Sequence, residues 1–477
     1  MIISPLRSHV AQWLQLLPGK WKGEFYLPFY LTSTIDQINP MQLSRYLKIY
    51  PYEEKPGHYI AFSTKKASVL LLNNNTLASI KNSTLTPADE ATLSSLGIIV
   101  PDREEEKFEM YNMLDMLNSK NKGLNISVII NLDCNFECVY CYEGDQKGRH
   151  YMSEETIGLL INFIKTNFSL GKKSINIDFY GGEPLLSTGL IKAISSEVKA
   201  FAEGRGADYT FTLVSNGSLF RRQIAEELKQ LGLSGVRITL DGTAEAHNKY
   251  RPFKSGAGSF DTIIENIKDT CDIVKISTGG NFDNGNYETF PLLFDYFMKE
   301  GLTPERIYEI RTGPVSKRPE EDNTPTDYSD WCLSVNEPWI IKAGEMLREE
   351  ILKRGYHTTK IMPMPCQVEI TDSYVVNYDG AIYKCPALIG RDGFEIGNLR
   401  DGVTDYTDSH KLGVWKNSEC IECEYLPLCF GGCRYMAYVR DGNINKPDCK
   451  RPYFDASLET MIKQDIKYRK PLKAKES

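Results

Sequence analysis

The chain has 477 residues, 41% of them hydrophobic and 25% charged, with a formal net charge of −7. Its length exceeds one ordinary domain and its composition is that of a soluble globular protein. The negative charge argues against general affinity for nucleic acid, and no stretch approaches the roughly 18 apolar residues that a membrane-crossing helix needs. Twelve cysteines, behind a start that lacks a basic segment followed by an apolar run, predict a reducing cytoplasm where thiols serve metals or catalysis.

Residues 1 to about 120 read as a separate unit. Tyr59–Ser63 and Ala67–Leu72 are apolar runs flanking a polar turn at Thr64–Lys66, the pattern of a β-hairpin. Short helical stretches follow around Leu77–Lys81 and Ala88–Leu96, then Ile98–Val100, and the charged run from Arg103 opens a helix reaching about Asn118. A hairpin beside short helices predicts a small winged-helix-like module.

From about 121 to 330, strands alternate with helices. The predicted strands are 125–132, 174–180, 209–215, 235–240, 273–278 and 306–311, separated by amphipathic segments such as Glu154–Phe168 and Gln223–Leu231. Six such units predict an α/β fold whose parallel sheet forms a partial (β/α)6 TIM-like barrel. Residues 331–365 form a helical bridge, with a helix over Glu337–Lys353, into a cysteine-rich stretch at 366–477.

Cys134, Cys138 and Cys141, spaced C-x3-C-x2-C, follow the first of these strands, at the end where parallel barrels gather functional groups. Three thiolates this close hold one face of an iron–sulfur cube and leave one iron open; a partial zinc knuckle or three unrelated core thiols are the competing readings. The second strand ends in Gly181-Gly182-Glu183-Pro184, where two glycines admit a ligand close to the backbone and a carboxylate can meet an ammonium group. A tight turn alone would use the same residues. Farther on stand Cys366, the G-x4-C unit Gly380–Cys385, the run Cys420, Cys423, Cys429 and Cys433, and then Cys449. Taken alone, that run also fits a four-cysteine zinc site, although seven cysteines do not divide into fours. Cys271 and Cys332 read as core thiols, and ligation of a three-thiolate cluster is the alternative for Cys332.

The cysteine triplet and the glycine loop one strand later resemble the radical S-adenosylmethionine (radical SAM) superfamily. The resemblance implies a 4Fe–4S cluster on Cys134, Cys138 and Cys141 whose open iron is chelated by S-adenosylmethionine (SAM), and a 5′-deoxyadenosyl radical that abstracts hydrogen from the substrate. It implies SAM contacts from Tyr140, before the last cysteine, from Gly181, Gly182 and Glu183, and from Ser215 and Asn216 after the third strand. Thr239, in Thr239-Leu240-Asp241-Gly242, and Arg251, at the end of a His247–Arg251 stretch with Asn248 in an aspartate's place, complete the set. A guanidinium grips a carboxylate in a fork, which suits Arg251 to the SAM carboxylate. The seven later cysteines resemble the SPASM extension of this superfamily, which implies two auxiliary 4Fe–4S clusters and so three clusters in all. Cys420, Cys423, Cys429 and Cys449 would close one, and Cys366, Cys385 and Cys433 would hold the other with three thiolates.

Enzymes with this extension modify peptides and proteins, and the N-terminal module resembles the element by which ribosomal-peptide maturases capture a leader peptide through β-addition to a hairpin edge. The expectation is a radical SAM oxidoreductase that acts on a precursor peptide to install an oxidative modification or crosslink. Its electron donor would be a protein such as flavodoxin or ferredoxin, with no nucleic-acid or membrane partner. The Tyr59–Leu72 hairpin is the expected docking edge, although an ordinary structural hairpin reads the same way. The alternative is an anaerobic sulfatase-maturing type that forms formylglycine; there an aspartate follows the G-x4-C cysteine, and here that place is Pro386. A metal-stabilised peptide-binding module without radical chemistry is the alternative of another class.

Overall fold

The computed structural model describes residues 41–317 and 331–469; residues 1–40 of the predicted module, 318–330 at the end of the predicted barrel and 470–477 lie outside it. The N-terminal unit opens with β1 (Gln42–Leu43), β2 (Leu47–Pro51), β3 (His58–Ser63) and β4 (Val69–Asn73). Helices Asn74–Lys81 and Pro87–Ser95 follow, and then β5 (Ile99–Val100), which returns to pair with β1. The predicted hairpin is therefore β3–β4, and β2 adds a third antiparallel strand that alternation of hydrophobicity did not announce. On β3, Ala61 faces the module's own core of Leu72, Ile80, Leu93 and Ile98, while Ile60 and Phe62 point to the opposite face.

The central sheet is built by β6 (Gly123–Asn131), β7 (Ser174–Gly181), β8 (Asp208–Ser215), β9 (Leu233–Thr239), β10 (Lys275–Gly279) and β12 (Glu309–Ile310), which are parallel and adjacent in chain order. All six predicted strands are present, the sixth cut to two residues. β6 is buried along its whole length, as a central strand covered on both faces must be. Helices such as Glu154–Asn167, Thr188–Gly204, Phe260–Thr270 and Phe290–Lys299 turn their apolar faces onto the sheet. The first of them is capped by the Ser153 hydroxyl, which accepts from the Thr156 N–H at 3.1 Å. A short pair, β11 (Asn281–Phe282) with β13 (Gly313–Pro314), continues the same edge beyond β10.

The sheet does not stop at the barrel. β14 (Ser373–Val376) lies parallel to β6, and β15 (Ala381–Tyr383), β16 (Glu395–Asn398) and β17 (Gly402–Val403) extend the sheet antiparallel beyond it. The cysteine-rich region is thus joined to the first barrel strand by backbone hydrogen bonds. Four-residue strands interrupted by turns carry too little periodicity to be read from sequence.

The N-terminal module docks on this C-terminal region. Ile60 and Phe62 pack against Tyr425, Leu428, Phe454, Leu458 and Ile462, and Tyr46, Met110 and Leu114 pack against Trp415, Ile421, Leu426 and Phe430. Around these apolar contacts, Arg45 and Lys107 pair with Glu422, and Lys48 pairs with Glu424. Ion pairs as exposed as these contribute about 0–1 kcal/mol each, against about 1.5–3 kcal/mol for each large apolar side chain fully buried, so the apolar face decides the docking. Phe62→Ala is therefore expected to cost about 3–5 kcal/mol in chemical denaturation; a loss below about 1 kcal/mol would show that this face is not a packed interface.

Candidate active site

Leaving β6, the chain forms a loop that carries Cys134, Cys138 and Cys141, and neighbouring segments hold that loop from two sides. On one side, the Gly182 and Glu183 N–H groups donate to the Asn131 and Asp133 carbonyls at 3.1 and 2.7 Å. A Cβ on Gly181 or Gly182 would be driven into those same two carbonyl oxygens. The glycines are thus needed first for the loop's close approach to its own sheet, which differs from the ligand-approach reason inferred from sequence. On the other side, Glu137 and Val139 donate to Pro252 and Tyr250, Lys254 donates to Asn135, and Phe136 packs edge-on against Phe253 at 4.9 Å. This zipper carries Arg251 to the cysteine loop.

The Glu183 carboxylate is fully buried and accepts from the Leu185 N–H at 3.0 Å, the Ser215 hydroxyl at 2.9 Å and the Asn216 N–H at 2.7 Å. Burial pushes its pKa up to about 7, against the pull of those donors. Most of its accepting capacity is spent inside the protein, tying the end of β7 to the end of β8. Asn216 in turn donates to Asn135 at 2.8 Å and reaches the Cys134 sulfur at 3.9 Å. Ser215, Asn216 and Glu183 therefore brace the loop that holds Cys134.

A second network centres on the Tyr140 hydroxyl. It donates to the Asp241 carboxylate and accepts from Arg251 Nη1 at 2.8 Å and Asn281 Nδ2 at 3.1 Å. Burial raises the Asp241 pKa, with Arg251 acting against it. Arg251 itself is held charged by Cys138, Tyr140 and Asp241 despite its burial, and its Nε has no hydrogen-bond partner among the described residues. His247 is locked neutral by burial: its Nδ1 accepts from the Asp241 N–H at 3.1 Å, and its Nε2 meets Ser259 Oγ, which donates to the Arg251 carbonyl. Asn248 accepts from the Ser259 and Phe260 N–H groups at 2.8 and 3.0 Å at the start of the next helix, a task an amide oxygen does as well as a carboxylate. Thr239 sits at the end of β9, and it is Asp241, two residues on, that enters the network. Asp241 lies in the stretch that the resemblance names, where Thr239 is the expected contact, and Asn281 is not singled out by the sequence. Their signal was Gly279-Gly280: a Cβ there would strike the Arg311 and Leu240 carbonyls, as at the first glycine pair.

Burial pushes the Cys134 and Cys141 thiols up to about 12 and raises Cys138 as well, so these groups stay protonated unless a metal displaces their protons. Farther along, Cys385 and Cys433 lie within electrostatic range of each other and of Cys366, while Cys420 lies within range of Cys423, Cys429 and Cys449. These interactions link Cys366, Cys385 and Cys433 with one another, and Cys420 with Cys423, Cys429 and Cys449, the grouping that the resemblance implied rather than the consecutive run of four. Among the described residues, no three His, Cys, Asp or Glu side chains converge as the ligands of one ion would. Each thiolate of an iron–sulfur cube would bind a different iron, and donor sets made of thiols alone, one of them three thiols, suit such a cluster. Cys271 donates to the Lys268 carbonyl at a helix end, and Cys332 is buried beside Ile340, Tyr435 and Met436.

Comparison with known proteins places this geometry. The sequence profile of the radical SAM superfamily matches residues 128–290. An Fe-coproporphyrin III synthase of Methanosarcina barkeri is 31% identical over 358 residues, covering 66% of this chain and 85% of that protein. A cysteine-type anaerobic sulfatase-maturating enzyme of Clostridium novyi is 23% identical over 335 residues, covering 63% and 85%. The solved structure of native anSMEcpe with bound AdoMet and Cp18Cys peptide superposes with a TM-score of 0.57 at 17% identity, covering 72% of this chain and 98% of that one. At that identity the likeness is one of fold.

Two substitutions test the site's construction. Gly182→Ala is expected to destabilise the protein by about 1–3 kcal/mol, whereas Gly158→Ala, on an outer helix with nothing near its missing Cβ, should stabilise it by about 0.5–1 kcal/mol. Tyr140→Phe leaves a buried carboxylate and two donors without their shared hydroxyl and should cost about 1–3 kcal/mol in thermal or denaturant unfolding.

Proposed function

The chain belongs to the radical SAM superfamily, and from that membership we propose that it is a peptide maturase, one that acts on a ribosomally made precursor to install an oxidative modification or crosslink. The observation that carries this reading is the separation of the seven C-terminal cysteines into a group of three and a group of four. Such a set fits two auxiliary clusters beside the one on Cys134, Cys138 and Cys141. When bound, cluster and SAM together supply a 5′-deoxyadenosyl radical that takes a hydrogen atom from the substrate.

The chain's own residues arrange and enclose that chemistry. Arg251, with its unpartnered Nε, would grip the SAM carboxylate, oriented by Tyr140 and Asp241. The Gly181–Gly182 backbone would meet the SAM amino group, with Glu183, Ser215 and Asn216 holding the loops in register, and Thr239, at the end of β9, would be a further SAM contact. The N-terminal sheet supplies a place for a leader peptide: β4 is an edge strand among the described residues, with Val69 and Leu71 exposed along it. Unpaired strand edges of this kind accept a further strand through main-chain hydrogen bonds. The reductant would be a small donor such as flavodoxin or ferredoxin.

The likeness to a sulfatase-maturating enzyme supports a second reading, formylglycine formation on a protein. Pro386 stands where that chemistry would place a carboxylate, which ranks it below the first. Among the described residues no helix is long and apolar enough to cross a membrane.

Anaerobic reconstitution is expected to give about twelve iron atoms per chain and 5′-deoxyadenosine under reduction. Cys141→Ala should abolish SAM cleavage, whereas Cys423→Ala should lose about four irons and keep the triplet's cluster. Stoichiometric zinc without SAM cleavage would sink the enzymatic reading. A SAM-cleaving protein with about four irons would leave the superfamily chemistry in place and remove the auxiliary clusters.

A further inference from the structure

Cys366, Cys385 and Cys433 share surroundings that their spacing does not announce. Lys384, next to Cys385, is completely buried. Its Nζ donates to the Ile370 carbonyl, to the Ser373 carbonyl at 2.6 Å and to the Thr371 carbonyl at 3.3 Å. Three donations at once use three N–H bonds, which an ammonium has and a neutral amine lacks. The rings of Tyr374 and Tyr406 each have their centre 5.1 Å from the same nitrogen, an arrangement that favours a cation. The three carbonyls lie along the stretch that leads from Cys366 into β14, so Lys384 fastens that stretch to Cys385.

A second buried cation stands next to Cys433. The Nη2 of Arg434 is shared between the Glu369 carboxylate and the Lys411 carbonyl, while Nε and Nη1 have no hydrogen-bond partner among the described residues. A Cβ on Gly431 would come within 3.5 Å of Nη1, which places the guanidinium against the loop between Cys429 and Cys433. Glu369, three places after Cys366, also accepts from the Gly413 N–H at 3.1 Å.

The buried charges around these three thiols do not balance. Lys384 and Arg434 stand against one buried carboxylate, Glu369. Asp372 is already paired with Lys172 at 2.6 Å, and Asp448, beside Cys433, with Arg440 at 2.8 Å. His410 brings no charge: burial pushes it down to about 4, and Lys384 and Arg434 add to that push. Burial pulls Lys384 down to about 7, with Asp372, Cys366 and Glu369 acting the other way. A buried cation without a full partner is costly, and the groups placed to answer it are thiols that turn anionic when a metal displaces their protons.

We propose that Lys384 and Arg434 are the built-in counter-charge of an iron–sulfur centre on Cys366, Cys385 and Cys433, and that they make this centre easier to reduce. The assignment rests on the auxiliary-cluster reading and adds the residues that set the centre's charge. Three thiolates leave such a cube with a net negative charge that grows on reduction, and net charge is one of the levers on its potential. Buried cations nearby favour the reduced form. A centre so poised is suited to take the electron that a substrate radical releases when it is oxidised.

The test uses the full-length protein, reconstituted anaerobically, titrated with dithionite at controlled potential and read by electron paramagnetic resonance. The signal of the three-thiolate centre is identified by its absence in Cys385→Ala. In Lys384→Gln and Arg434→Gln, the reduced-to-oxidised ratio of that centre, measured at the unaltered protein's midpoint, should fall by about tenfold. The signal of the Cys134, Cys138 and Cys141 centre should not move, and Arg434→Lys, which keeps the charge, should restore the midpoint. Loss of about four irons from both glutamine variants, with full loading of Arg434→Lys, would support the same role through assembly. Unmoved midpoints in fully loaded glutamine variants, or an equal shift in Arg434→Lys, would overturn the proposal alone. An unaltered protein that binds only about four irons would sink the auxiliary-cluster reading and the counter-charge with it.

Discussion

Everything at the reactive end of the sheet depends on how closely backbone approaches backbone. The carbonyls of Asn131 and Asp133 occupy the space that a side chain at Gly181 or Gly182 would need. The same fit recurs where Gly279 and Gly280 meet the carbonyls of Arg311 and Leu240. The first contact seats the cysteine loop and the second seats Asp241 and Asn281. Loops that share such contacts cannot shift independently, so the groups they carry keep a fixed geometry before any ligand arrives. Precision of that kind is what a reaction with a short-lived radical demands.

The electrostatics follow the same plan. Asp241, Arg251 and Tyr140 are buried together, and neither charged group would be tolerable there alone, since an uncompensated buried charge costs several kcal/mol. Paired, they leave one buried donor, the Arg251 Nε, without a hydrogen-bond partner among the described residues. His247 carries no charge into this network. Its two ring nitrogens fix the Asp241 backbone and, through Ser259, the Arg251 backbone, and so a residue that sequence reading groups with ligand contacts acts as a spacer between them.

Much of this was legible in the sequence, for identifiable reasons. Long strands and helices have enough residues to show their period, and the six barrel strands were found within a few positions of their places. Cysteine spacing is legible because it needs no fold to be read, and the later thiols that interact electrostatically are those the resemblance grouped together. What escaped was short or indirect. β14 to β17 are two to four residues each, so their extension of the barrel sheet left no periodic trace. β2 was hidden because its residues alternate in exposure without alternating in hydrophobicity. Glu183 illustrates a subtler gap: its position beside the cysteine loop was readable, but its engagement with Leu185, Ser215 and Asn216 needed the third strand's place in space.

One contact has consequences that reach across the molecule. Glu422 and Glu424 stand between and just after Cys420 and Cys423, and both are gripped by cations of the N-terminal module, while Ile421 and Leu426 pack against Tyr46. The short stretch that would ligate a cluster is thus also part of the footing of the N-terminal sheet. Energetic coupling between two such tenants of one segment is reciprocal. Whatever rigidity iron lends to residues 420–423 is shared with the sheet, and an apoprotein would hold that sheet more loosely. Oxidation of the thiols in this stretch would then loosen the N-terminal sheet, far from the cysteine loop after the first barrel strand.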